Sequence, residues 1–263
     1  MMNPTELNEA PRRPAFLPEL SRLFTSEKKP SHKSVLRVFV SLWFIAVCRV
    51  CSFAAPPKIV IVALGDSTTA GTPFFRSPVE SPPDGQGDAD APFPAALEKL
   101  RPGWRVLNRG VNGERADEVR ARFERDVAAN RPRFAIILAG VNDVYQERDL
   151  KSTEADLAWM YDRAAKAGIE PVAASVMPFT RATPEQCARI RELNAWIART
   201  AKARGLAFCD LHAATAAKGN PDALAGSPDG LHPDRKGYAA AARALAAAIG
   251  ARLKAGSPST PSR

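Results

Sequence analysis

The stretch Lys58-Ile59-Val60-Ile61-Val62-Ala63-Leu64-Gly65-Asp66-Ser67-Thr68 decides the fold. Ile59 to Leu64 is apolar without alternation, as in a strand whose sheet is covered on both faces, and Gly-Asp-Ser-Thr brings turn chemistry directly after it. Working outward, the same unit recurs. Candidate strands at Trp104–Leu107, Phe134–Leu138, Pro171–Ser175 and Leu206–Cys209 alternate with candidate helices at Ala95–Leu100, Ala116–Asn130, Thr153–Gly168, Pro184–Arg204 and Arg235–Leu253. Strands that alternate with helices predict an α/β fold, a three-layer α/β/α sandwich around a five-stranded parallel sheet. In such folds the chemistry gathers in the loops at the carboxyl ends of the strands.

The 263 residues, 45% hydrophobic and 25% charged, suit one sizeable globular domain. The formal charge of +9 raises the question of nucleic acid. Through Ala55 there are eight basic and four acidic residues, leaving 29 against 24 spread as mixed charge with no basic run, so no nucleic-acid partner is expected. Val38–Cys48 is an apolar run of eleven positions, too short to span a bilayer but suited to a signal peptide, with a cleavage site in Ser52-Phe53-Ala54-Ala55. Residues 1–55 therefore read as an N-terminal extension and signal peptide, 56–255 as the domain and 256–263 as a disordered polar tail. Export to the periplasm or medium is expected, with no stable membrane span after cleavage. A lipid anchor on Cys48 is the alternative, disfavoured by the bulky Val47; a true translation start near Val35 is another open point. Cys187 and Cys209 remain after cleavage and read as buried free thiols, although an oxidising compartment would allow them to pair.

Four strand-end loops hold polar groups of different chemistry: Gly65-Asp66-Ser67-Thr68, Asn108 to Glu114, Gly140-Val141-Asn142-Asp143, and Asp229-Gly230-Leu231-His232-Pro233. Asp229 and His232 lie three apart in a turn, so one short loop can hold a carboxylate against an imidazole and fix its tautomer. A serine hydroxyl is a poor nucleophile at neutral pH and needs such a base, which makes Ser67 the candidate nucleophile. After cleavage only His212 and His232 are left, and His212, lacking the other components nearby, reads as structural. The backbone N–H groups of Ser67 and Gly113 and the side-chain amide of Asn142 are the candidate oxyanion donors. Asp66 and Asp143 read as loop braces, and Arg109 and Arg115 as solvated loop charges. Residues 72–94, rich in Pro, Gly and Asp, read as a long segment without secondary structure that borders the active-site entrance.

These blocks, in this order from about Lys58 to Leu253, resemble those of the SGNH hydrolases, the GDSL esterases and lipases, whose members include lysophospholipase-, thioesterase- and arylesterase-like enzymes. The resemblance implies a flavodoxin-like sandwich with Ser67 as nucleophile and oxyanion donor, Gly113 and Asn142 as the other donors, and Asp229 and His232 completing a catalytic triad. Thr68 stands where the family name has Leu, and Gly110 is an alternative to Gly113.

The expected function is a serine esterase that cleaves carboxylic ester or thioester bonds through a Ser67 acyl-enzyme, on short to medium acyl groups of a small-molecule, lipid or glycan substrate, without a cofactor. Two alternatives are carried: a carbohydrate O-acetyl esterase, and a non-catalytic module that binds acylated glycans or lipids, whose usual mark would be loss of the nucleophile or base. Thr69 at the last position of G-x-S-x-G disfavours an α/β-hydrolase elbow, and no His/Cys cluster suggests a metal hydrolase. Physiological substrate and oligomeric state are open at this level.

Overall fold

A computed structural model describes residues 58–256. The Val38–Cys48 run, the cleavage site, Cys48 and the tail from Ser257 lie outside the described residues. Among the described residues no helix is long and apolar enough to cross a membrane.

Strand β1 (Ile59–Gly65) runs into a one-turn helix, α1 (Ser67–Ala70). A short antiparallel ladder of β2 (Phe75–Arg76) and β3 (Gln86–Gly87) precedes α2 (Phe93–Leu100) and β4 (Trp104–Gly110). Helices α3 (Ala116–Ala121) and α4 (Phe123–Asp126) and a 3-10 turn (Ala128–Asn130) lead to β5 (Phe134–Leu138). Next come α5 (Val141–Tyr145), α6 (Leu150–Lys166), β6 (Glu170–Ala174), α7 (Pro184–Arg204) and β7 (Ala207–Cys209). The chain then forms α8 (Leu211–Thr215), a small hairpin of β8 (Ala216–Ala217) and β9 (Asn220–Leu224), and α9 (Arg235–Lys254).

The five long strands form one parallel sheet in the order β4-β1-β5-β6-β7. The unbroken apolar runs follow from the two-residue period of a strand covered on both sides. In β1, Ile61 and Ala63 face α2 and α9, where Phe93, Leu97, Tyr238, Leu245 and Ile249 are buried. Val62 and Leu64 face the other layer, packed with Val119, Phe123, Met160, Ile190 and Ile197. Each such fully buried side chain contributes roughly 1.5–3 kcal/mol. The chain leaves β1 toward β4 on one side and returns past β1 to β5 on the other. The strand order thus reverses at β1, and a crevice opens at its carboxyl end, beside Ser67.

Helix α7 begins and ends where its sequence reads it, because Thr183 and Gln186 form a capping box, Pro184 occupies its first turn and Gly205 takes the left-handed conformation after it. The helix expected over Ala116–Asn130 is instead broken at Arg122. That side chain is only 7% exposed. It donates to Gly65 O and Arg109 O at 2.7 Å each and pairs with Glu114 and Asp126 at 2.6 and 2.8 Å. Meeting four acceptors beneath the ends of β1 and β4 holds residue 122 out of helical geometry.

The second strand runs three residues beyond its expected end, to Gly110. The 72–94 segment is likewise more ordered than its composition suggests. Besides its ladder, Ser77 Oγ donates to Gly110 O, and Arg235 of α9 pairs with Asp88 at 2.5 Å while lying over the Phe74 ring. Cys187 and Cys209 are both free, and burial pushes the Cys209 thiol up to about 12, which leaves it inert at neutral pH.

Candidate active site

Ser67 opens α1 directly after β1, and Asp66 caps that turn by accepting from Thr68 N at 2.9 Å and Thr68 Oγ1 at 2.7 Å. His232 arrives from the opposite end of the domain, 165 positions on, with Nε2 2.9 Å from Ser67 Oγ. Its Nδ1 lies 2.7 Å from Asp229 Oδ2.

The loop that carries this pair is closed on itself. Asp229 Oδ1 accepts the N–H groups of Leu231 and His232 at 2.8 Å each, and Ser227 Oγ donates to His232 O at 2.7 Å and accepts from Gly230 N. Burial alone would raise the Asp229 carboxyl, but the bond from the His232 ring and the two backbone donors outweigh it and bring it down to about 2. An ionised Asp229 makes Nδ1 the protonated nitrogen, so the Nε2 lone pair faces the Ser67 hydroxyl.

The three candidate oxyanion donors belong to residues that line one cavity. The N–H groups of Ser67 and Gly113 meet no acceptor among the described residues. Asn142 Nδ2 gives one hydrogen to Glu114 O at 2.9 Å, and its amide carries a second. Gly113 sits at φ +76°, where a β-carbon is disfavoured. Gly110 is a glycine for another reason: a β-carbon there would stand 2.1 Å from Ala70 N. Its own N–H is taken by Asn108 Oδ1, so of the two candidate glycines Gly113 is the one with a donor to offer.

Ser67, Gly113, Asn142 and His232 line a cavity of about 240 Å³ together with Tyr145, Phe179 and Leu231, among others. None of residues 72–94 lines it. A larger cavity, about 500 Å³, lies along the outer edge of β4 and includes none of the site residues. Among the described residues no group of three or more His, Cys, Asp or Glu is placed to hold a metal ion.

Asp143 is fully buried and accepts from Ala116 N, Thr153 Oγ1 and Arg148, tying α5 to α3 and α6. His212 stands in α8 away from Ser67, its backbone N–H on Ser175 Oγ, and burial lowers its ring. Arg115 pairs with Asp117 at 3.1 Å. Arg109 is not a solvated loop charge: it lies half-buried in β4, and its Nε is buried without a hydrogen-bond partner. Sequence reasoning missed Arg122, Ser227, Tyr145 and Phe179. Tyr145 adjoins the Asn142-Asp143 block and so carried a weak signal; Arg122 and Phe179 carried none, because an isolated Arg or Phe has no motif.

Burial raises the Asp66 carboxyl from its ordinary 3.8 to about 6, against the lowering effect of the Thr68 bonds. With the folded value above the unfolded one, its favourable contribution is complete below pH 4 and is lost as pH rises through 6. Both Thr68 bonds run to Oδ1, and the side-chain carbonyl oxygen of an Asp66→Asn variant would retain them without a buried charge. The variant is expected to be more stable than the parent by roughly 1–3 kcal/mol at pH 8, with the gain fading by pH 4. Urea unfolding at the two pH values checks this, and an equal shift at both would contradict it.

Residues 63–240 match the model of the GDSL-like Lipase/Acylhydrolase family. A 48-residue stretch is 42% identical to an acetylxylan esterase of Geobacillus stearothermophilus, covering 18% of this chain and only 22% of that protein. Among solved structures, one described as a lipolytic protein of the G-D-S-L family from Desulfitobacterium hafniense DCB-2 superposes with a TM-score of 0.62 at 25% identity, over 73% of this chain and 99% of that one. A GDSL-like lipase from Bacteroides thetaiotaomicron shares the fold at TM-score 0.60 and 21% identity, over 81% and 98% of the two chains. The G. stearothermophilus acetylxylan esterase does so at 0.58 and 22%, over 73% and 94%.

Proposed function

Because the chain belongs to the GDSL-like lipase/acylhydrolase family, whose members are hydrolases acting on esters, we propose that it cleaves short acyl esters through an acyl-enzyme on Ser67. The observation that carries this reading is the run of contacts from Ser67 Oγ to His232 Nε2 at 2.9 Å and from Nδ1 to Asp229 at 2.7 Å, at the wall of an open cavity. Oγ attacks the ester carbonyl as its proton passes to Nε2, and Asp229 stabilises the imidazolium. The carbonyl oxygen becomes an oxyanion, held by the N–H groups of Ser67 and Gly113 and by Asn142 Nδ2; such donors are each worth about 3–4 kcal/mol. As the tetrahedral species collapses, the C–O bond breaks and the imidazolium returns the proton to the leaving alkoxide. Water then repeats the sequence on the acyl-enzyme, releasing the acid and the free Ser67 hydroxyl.

The cavity, about 240 Å³, lies below the roughly 300–1,000 Å³ that drug-sized ligands occupy, which supports a short acyl group. Across p-nitrophenyl esters from acetate to palmitate, kcat/KM is expected to peak at acetate to butyrate and to survive a chelator. A palmitate optimum would sink the size argument, and loss of turnover with chelator would sink the metal-free mechanism.

One observation favours a carbohydrate acetyl ester as the specific substrate. Tyr145 is 56% exposed at the cavity and meets Phe179 edge-on at 6.2 Å, leaving an aromatic face open for a sugar ring. The partial match to an acetylxylan esterase points the same way. Acetate release from acetylated xylan, compared with p-nitrophenyl acetate, separates a glycan esterase from a general one.

A further inference from the structure

The 72–94 segment contributes nothing to the cavity lining, yet it is bonded to the loop that carries Gly113. Glu80 Oε1 accepts two hydrogen bonds from a single residue, Asn112: one from its backbone N–H at 3.1 Å and one from its Nδ2 at 2.8 Å. The remaining Asn112 group, Oδ1, accepts from Thr72 Oγ1, and Tyr238 OH of α9 donates to Thr72 O at 2.6 Å. Asn112 is therefore held at its backbone and at both ends of its amide by two residues of this segment. On the far side, Gln146 Nε2 and Asn142 Nδ2 reach Gly113 O and Glu114 O. Gly113 itself is exposed, with nothing within 4 Å of where a β-carbon would stand, so its position depends on the peptides and hydrogen bonds on either side of it.

Glu80 is also an unusual carboxylate. Its Oε2 is buried with no hydrogen-bond partner, and no cation pairs with it among the described residues.

We propose that Glu80 is a positioning residue for acyl transfer: through Asn112 it sets the direction of the Gly113 N–H that receives the oxyanion. This rests on the reading of Ser67 and Gly113 given above. The physical reason is that an oxyanion donor acts only when preorganised, and a misplacement of about 1 Å can cost on the order of 100-fold in rate. Glu80 touches neither substrate nor the reacting atoms, so its effect passes entirely through the Asn112–Gly113 peptide.

Because both bonds go to Oε1, Glu80→Gln retains them on its carbonyl oxygen, while an amide NH2 takes the place of Oε2 and the charge is lost. Glu80→Ala removes both, and Glu80→Asp keeps the charge but draws the acceptor back by one methylene. On p-nitrophenyl acetate the Ala and Asp variants are expected to lose about 10- to 100-fold in kcat with KM nearly unchanged. Affinity for an alkyl boronic acid, which forms a tetrahedral adduct on the serine, should fall in parallel. The Gln variant should stay within about 3-fold of the parent on both measures. Thermal melts identify any variant that is not folded, and the Gln–Asp comparison stands if the Ala variant fails. Parent-like kcat in the folded Asp or Ala variant, a loss carried by KM alone, or a Gln variant as poor as the Asp variant would each overturn the proposal. Absence of Ser67-dependent turnover in the parent would instead remove the ester reading beneath it.

Discussion

Ser67→Ala is expected to lower kcat on p-nitrophenyl acetate by roughly 10⁴-fold or more, with little change in KM. The serine hydroxyl is the group that faces His232 Nε2 at 2.9 Å, and it stands at the wall of a cavity that Gly113 also lines, where the N–H groups of Ser67 and Gly113 are the proposed oxyanion donors. Alanine keeps the first of those donors, because it belongs to the backbone, so substrate should still bind and the loss should fall on the chemical step. Residual turnover is expected from water activated by His232 and from the remaining donors, as when single members of such sets are removed. Removing one hydroxyl that makes no bond to the fold beyond His232 should leave the melting temperature within a few degrees of the parent. Stopped-flow measurement of p-nitrophenol release distinguishes the cases. A parent with a burst phase and a variant without one fits the acyl-enzyme, whereas equal turnover in both proteins would remove Ser67 from the reaction.

Asp229→Asn is expected to cost about 10⁴-fold in kcat at neutral pH while the fold stays intact. The two oxygens of Asp229 do separate jobs. Oδ1 holds the turn by accepting from Leu231 and His232, and Oδ2 accepts from His232 Nδ1. Asparagine can keep its carbonyl oxygen on the turn, but it then presents an N–H₂ to Nδ1. The imidazole answers by placing its proton on Nε2, where it meets the Ser67 hydroxyl as a donor and cannot take the proton. The defect is one of tautomer, not of position, and raising the pH should restore part of the rate as hydroxide replaces the base. The structural share can be measured alone: below the depressed Asp229 value of about 2, the parent loses the same ionised contact, so the stability difference between the two proteins should shrink as pH falls toward it. A variant with parent-like kcat at pH 7 would show that Asp229 does not orient the base.

Much of this was legible beforehand because strand-end loops write their chemistry locally. Asp66 next to Ser67, and Asp229 three residues from His232, are short-range relations, and a turn or a helix cap can satisfy them within one loop. The alternation of apolar runs and helical stretches was equally readable, since burial on both faces of a sheet leaves its mark on every central strand. Helices of four or five residues, such as α1 and α5, escaped because one turn carries no period. The hairpin of β8 and β9 and the two-residue ladder of β2 and β3 escaped for the same reason.

From the sequence alone came the layer architecture, the family blocks and the candidate serine, histidine and carboxylate. Only the tertiary structure decided how those blocks are held. It turned Arg122 inward under Gly65 and Arg109, left the Gly113 N–H without an acceptor among the described residues while Asn108 took that of Gly110, and joined Glu80 to Asn112 across 32 positions. The physical reason is that a hydrogen bond or a close contact between distant segments depends on where the packed layers bring their ends. A residue's own neighbours in the chain report the turn it sits in, but not the partner waiting on the next strand.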